Sequence, residues 1–175
     1  IIGDIAYGMI AGGKGNDVPF TYNLQTNVFN LPTGVTASNT PASPTTSGTW
    51  VPPRMALVGA LLIVTHPGFT GSGGNFFGWF DLTNPALPVW NAGNLTGAYA
   101  FTTVPTAVAQ FSGRAYYITN VPAQPAVVFS DALNAINVTN ANQILTFGDN
   151  AVLTALAGLP LFNQLGGVIQ SLIVF

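Results

Sequence analysis

Only three basic and five acidic residues occur in the 175 residues of this chain, and none of the acids is glutamate. The positions that charged residues would hold are taken by Asn, Thr, Ser, Gly and Pro. These suit turns and solvated β-surfaces and are poor helix formers. Charged residues make up 5% of the chain against a usual value of about 25%, while the apolar share of 49% is ordinary. A normal core under an uncharged surface, built from turn formers, predicts an all-β protein. The length suits about one domain with a real core.

The same scarcity excludes function classes. The acids are Asp4, Asp17, Asp81, Asp131 and Asp149, and the bases are Lys14, Arg54 and Arg114. No basic face for nucleic acid can be assembled from three scattered cations. The formal charge is -2, so solubility rests on amides and hydroxyls, which favours a chain locked into a larger assembly. With no cysteine, a disulfide framework and thiolate metal sites are excluded, and the redox compartment stays open. The start on Ile1 without a basic n-region does not read as a signal peptide. "VIQSLIVF" at the end is a buried-strand pattern that needs a partner strand or more chain, so a fragment of a longer protein is expected. Ala151 to Phe175 carries no charge, yet Pro160, Asn163, Gln164, Gly166, Gly167 and Gln170 interrupt it, and no membrane span is expected. Met55 to Thr65 is too short to cross and fits a buried strand pair.

Three segments share a layout of apolar strand, polar connection and aromatic strand: Ile5 to Leu24, Leu61 to Leu82 and Arg114 to Leu133. Upstream of the second and third, "RMALVGALLIV" and "AVAQFSGRAYYI" read as strand, tight turn at Gly59 or Ser112-Gly113, and strand. The spacing of about 50 to 58 residues falls near that of several-stranded repeats. The expectation is therefore a β-propeller-like body of antiparallel blades, an incomplete part of a larger propeller, with blades over about 1–50, 51–104 and 105–175. Gly34 to Pro53 is expected as a long ordered loop, and Ala151 to Leu159 as the one place for a helical turn.

Searching for chemistry yields near misses. "GMIAGGKG", Gly8 to Gly15, almost spells a phosphate loop, but Gly15 stands where a hydroxyl should hold magnesium and no helix signal follows. A glycine-rich hairpin turn is the better reading, and "GSGGN", Gly71 to Asn75, is a strand connection. His66 is the sole histidine, at a strand end before Pro67, and reads as a hydrogen-bonded loop imidazole with a catalytic base as the remote second. Ser130-Asp131 lies in no nucleophile-elbow pattern. A glycosidase-type carboxylate pair would need two of the scattered Asp residues brought together. Asp81 and Asp131 occupy matching repeat positions and are expected to cap equivalent turns. Gly148, Asp149 and Asn150 read as a turn with too few oxygen ligands for calcium. Phe76, Phe77, Trp79, Phe80 and Trp90 form the densest aromatic group; with Trp50, its indoles are expected to pack between sheets. Asn94 and Asn137 open short glycosylation-type triplets that chance explains.

The run "VVFSDALNAINV" from Val127, with "NQILTFGDNAVLTALAGLPLFNQLGGVIQSLIVF" from Asn142 to Phe175, resembles the blade signature of the tail nozzle and tail-hub proteins of short-tailed bacteriophages, the tail tubular protein B and packaged-DNA-stabilising group. The matching positions are Phe129, Ser130, Asp131, Asn134, Gly148, Asp149, Val152, Thr154, Ala155, Leu156 and Leu172 to Phe175. Trp50 to Pro85 also looks like an upstream blade of that group. The resemblance implies a structural virion protein of the phage tail. Six copies would form a ring beside adjacent tail and adaptor proteins, around a channel that DNA traverses without specific contacts. It brings no catalytic residue and no cofactor. A wall poor in charge would let DNA slide, since strong phosphate contacts would retard it. The alternative is a carbohydrate-binding or glycan-degrading β-domain using the cluster from Phe76 to Trp90, and a third is a pore-forming or coat subunit.

Overall fold

The tight turns read from sequence set the architecture. In the computed structural model, which describes residues 1–12, 15–43, 52–121, 124–147, 152–162 and 168–174, the regular elements are strands and one short 3-10 turn at Ser72–Gly74. A three-stranded antiparallel sheet comes first: β1 (Ile5–Ala11), β2 (Asp17–Asn23) and β3 (Val28–Asn30). A four-stranded meander follows, with β4 (Arg54–Val58), β5 (Leu61–Thr65), β6 (Phe77–Asp81) and β7 (Val89–Gly93). β8 (Thr96–Gly97) leads to β9 (Ala107–Phe111), β10 (Arg114–Val121) and β11 (Gln124–Phe129). β12 (Asn137–Val138) pairs in parallel with β8, and β13 (Ile144–Thr146) completes a second four-stranded sheet in the order β13-β11-β10-β9. β14 (Leu156–Phe162) and β15 (Val168–Val174) form a closing hairpin.

The turns follow backbone chemistry. Gly59 takes φ 58° between β4 and β5, and Ser112 and Gly113 take φ 47° and 73° between β9 and β10. Positive φ at both central residues matches the right-handed twist of the flanking strands, which is why so short a loop closes the second hairpin.

The apolar pattern of each strand records how many neighbours its sheet has. In β5, Ile63 faces a core shared with Val58, Phe77, Val108, Tyr117 and Val128 of the two four-stranded sheets. Its neighbours Leu62 and Val64 face the other way, into a core with Phe80 and Trp90 against which Tyr7 and Met9 of β1 pack. Burial on both faces explains the uninterrupted "LLIV" run. β10 repeats the arrangement: Ala115 and Tyr117 point to the central core, whereas Ile118 joins Ala107, Val127 and Leu153 in a third core near Leu156. The sheets therefore stack as layers in chain order, with β4 lying on β9 and β9 on β14.

The all-β class is what the structure has, but the propeller is not. The sheets are separate, small and unequal, with three, four, four, two and two strands, and none closes or curls strongly. Strand-and-turn spacing specifies a meander. Closure also requires every sheet to repeat one tilt against its neighbour, and sheets that differ in strand number and packing residues do not repeat it. The expected helical turn is also absent: 152–155 carry no regular structure and β14 begins at Leu156. Among the described residues no helix is long and apolar enough to cross a membrane.

Candidate functional site

Two polar constellations and one divided aromatic group hold the side chains with chemical potential. The first unites residues that sequence reading left apart. Asp17 opens β2, His66 directly follows β5, and Ser43 lies on the segment between the first two sheets. That segment is threaded against both: Asp17 N–H donates to the Pro41 carbonyl at 2.8 Å, Ala42 N–H to Gly68 at 3.0 Å and Ser43 N–H to Gly15 at 2.7 Å. The approach is so close that a Cβ on Gly68 would stand 1.9 Å from the Ala42 carbonyl oxygen.

His66 and Asp17 are buried, with 1% and 3% of their surface exposed. The Gly68 N–H donates to His66 Nδ1 at 2.9 Å, and a backbone N–H can only donate, so the proton of the neutral ring sits on Nε2. From there it is donated to Asp17 Oδ2 at 2.9 Å, while the Ser43 hydroxyl donates to Asp17 Oδ1. Burial pushes the imidazole below its ordinary value, against the opposing pull of the Asp17 charge and hydrogen bond. The three residue types are those of a hydrolase triad, yet their order differs: the carboxylate sits between Ser43 and His66, and both imidazole nitrogens are committed. A general base must have a free nitrogen within reach of the nucleophile's proton, and this one has none. The group fastens β2, the 41–43 segment and β5 to one another.

The second constellation surrounds Asp131. Oδ2 accepts from the Thr139 hydroxyl and the Asn137 amide, each at 2.6 Å, and Oδ1 accepts from the Gln143 amide at 3.0 Å and Thr139 N–H at 3.2 Å. Donation by Thr139, reinforced by Asn137 and Gln143, holds the carboxyl down to about 2. Ser130, fully buried, accepts from Ala115 N–H at 3.0 Å and donates to the Asp131 carbonyl, so its hydroxyl is a frame contact. Asp81 does a smaller job after β6. Its Oδ1 accepts from Thr83 N–H at 2.9 Å, and hydrogen bonds from Thr83 keep it below the usual carboxylate value. The two aspartates belong to different sheets and cap different turns. Gly148 and Asp149 lie outside the described residues, as does Trp50.

The aromatic group is split by its own sheet. Period-two alternation puts Phe77 and the half-buried Trp79 on the face toward the central core, and Phe80 on the opposite face beside Trp90. Trp90 is 1% exposed, donates its indole N–H to the Asn39 carbonyl at 2.9 Å and lies flush on Gly78, where a Cβ would stand 2.2 Å from the ring. The five aromatics thus do not form one strip for stacking on a sugar. The amides of both glycosylation-type triplets are engaged within the fold: Asn94 donates to Phe101 O at 2.9 Å, and Asn137 to Asp131.

Sequence reading expected Asp81 and Asp131 to cap equivalent turns and singled out neither Asp17 nor Ser43. His66 and Asp17 are 49 positions apart, and the one available signal was an acid flanked by the apolar alternation of a strand. Among the described residues no three His, Cys, Asp or Glu side chains gather to hold a metal. Comparison with known proteins returned no match to a family model, a curated protein or a solved structure.

Proposed function

We propose that the chain is a structural component of the tail of a short-tailed bacteriophage, part of the nozzle or hub that conducts DNA out of the particle, acting mechanically and without catalysis. The observation that carries the reading is the use made of the residues behind the resemblance. Phe129, Ser130, Asp131 and Asn134 lie where β11 hands over to β12. There Ser130 braces β10, and Asp131 gathers Asn137, Thr139 and Gln143 into one knot. A signature that holds a strand end in place suits a load-bearing wall. The surface chemistry suits it too: the chain has three basic residues, and a phosphate backbone passing such a surface meets few cations to retard it.

In this reading the subunit stands in a ring of its own copies, between adjacent tail proteins. Imaging of intact particles at side-chain resolution is the test. Density for the Asp131 knot and the stacked meanders within the tail is the expected result, and localisation of the chain outside the tail would overturn the proposal.

A further inference from the structure

The first sheet is built inside out. Its register places Ala6, Tyr22 and Phe29 side by side, Gly8 beside Phe20, and Ile10 beside Val18. Side chains alternate across a strand, so these seven share one face. Ring contacts agree: Phe29 lies 5.3 Å from Phe20 and 4.6 Å from Tyr22. The opposite face carries Tyr7 and Met9 onto the core together with the buried Asp17, Pro19 and Thr21. Polar groups therefore point inward, while an apolar face without a charged side chain points out. None of the seven is buried; Phe29 leaves 62% of its surface exposed and Ile10 51%.

We infer that this face is the contact surface for a second copy of the chain, packed sheet on sheet about a two-fold axis. Two observations select that occupant. A pleated apolar face is matched by another pleated face about 10 Å away, and a two-fold supplies the same face twice. An ordinary protein partner carries about 25% charged residues and would bring charges onto a face with none to pair them, a costly burial. A copy of this chain, with its 5%, brings an equally uncharged surface. The exposed parts of Ile10, Phe20, Tyr22 and Phe29 amount to roughly 300 Å², so they form the centre of such a contact, and the surface around them must supply the rest of the about 800 Å² that each partner gives to a standard interface. The polar turn of Gln25, Thr26 and Asn27 borders the face at the β2–β3 end, where the Gln25 amide donates to Asp4 at 2.7 Å. The pairing does not depend on the virion reading.

The test is sedimentation velocity on the full chain from about 1 to 200 µM. A dimer is expected, with Phe29→Ser combined with Ile10→Thr weakening it by at least about thirtyfold, the scale of a hot-spot loss. Leu133→Ser, at a residue 74% exposed elsewhere, should leave the dimer intact. If the double variant does not fold, hydroxyl-radical footprinting of the unaltered chain decides: labelling of Ile10 and Phe29 should fall as concentration rises, while that of Leu133 stays constant. A monomer throughout, a dimer indifferent to the double variant, or concentration-independent labelling would each overturn the inference. So would binding of this face to phosphatidylcholine vesicles in place of self-pairing. A larger assembly that survives the double variant would leave the tail-ring proposal standing and remove this one.

Discussion

Trp90 shows how much one residue can demand of another. Its ring occupies the space over Gly78, and a methyl group there would stand 2.2 Å from it. Gly78→Ala must displace either the indole, which donates to Asn39, or the β6 backbone. Overpacking of this kind costs about 1–3 kcal/mol, and urea denaturation should read that loss. Thr65 offers the opposite experiment. Its hydroxyl is buried with no hydrogen-bond partner among the described residues. Thr65→Val keeps the shape and removes the orphaned group, so a gain of about 1 kcal/mol is expected, read as a raised thermal midpoint. Asp131 adds a pH signature. Its folded-state value of about 2 lies below the ordinary 3.8, so its contribution is whole above about 3.8 and disappears as pH falls through about 2. Asp131→Asn should flatten that part of the acid-unfolding curve and lower stability at neutral pH.

Between elements, the His66 group is the decisive contact, because it joins the first sheet to the second through a third segment. The folded imidazole titrates below its ordinary 6.5, so protons bind the unfolded chain more readily than the folded one. The stability that the neutral ring provides is complete above about 6.5 and is lost as pH falls through the lower folded-state value. Protonating Nδ1 would also set two donors against each other at the Gly68 N–H. Denaturation midpoints measured from pH 8 to 5 should therefore fall. His66→Gln should lower the neutral-pH midpoint and remove most of the slope; a slope unchanged in that variant would assign it elsewhere. This joint was illegible in the sequence for a physical reason. Hairpins are fixed by neighbours within a few positions, so Gly59, Ser112-Gly113 and the two-sided "LLIV" run could all be read directly. The tilt between sheets and the meeting of Asp17 with His66 are settled by side chains dozens of positions apart, which no local pattern encodes. The outward apolar face of the first sheet escaped for a related cause, since alternation shows two faces and does not say which one the core takes.

At the scale of the whole molecule, stacking in chain order makes protection from solvent uneven along the chain. β5, β10 and β11 have apolar side chains in cores on both of their faces, whereas β1 and β3 belong to a layer covered on one side. Local opening is cheapest where few buried contacts must break. Hydrogen exchange should accordingly be slowest in β5, β10 and β11 and fastest in β3, whose three residues are all exposed. Dilution sharpens the test. At concentrations low enough to separate copies, β1 to β3 should exchange faster than at high concentration, while β5 should not change, because its cover comes from within the chain. If β1 is as protected as β5 in the dilute protein, the layers open together, and the outer sheet draws its stability from the interior without needing a second copy.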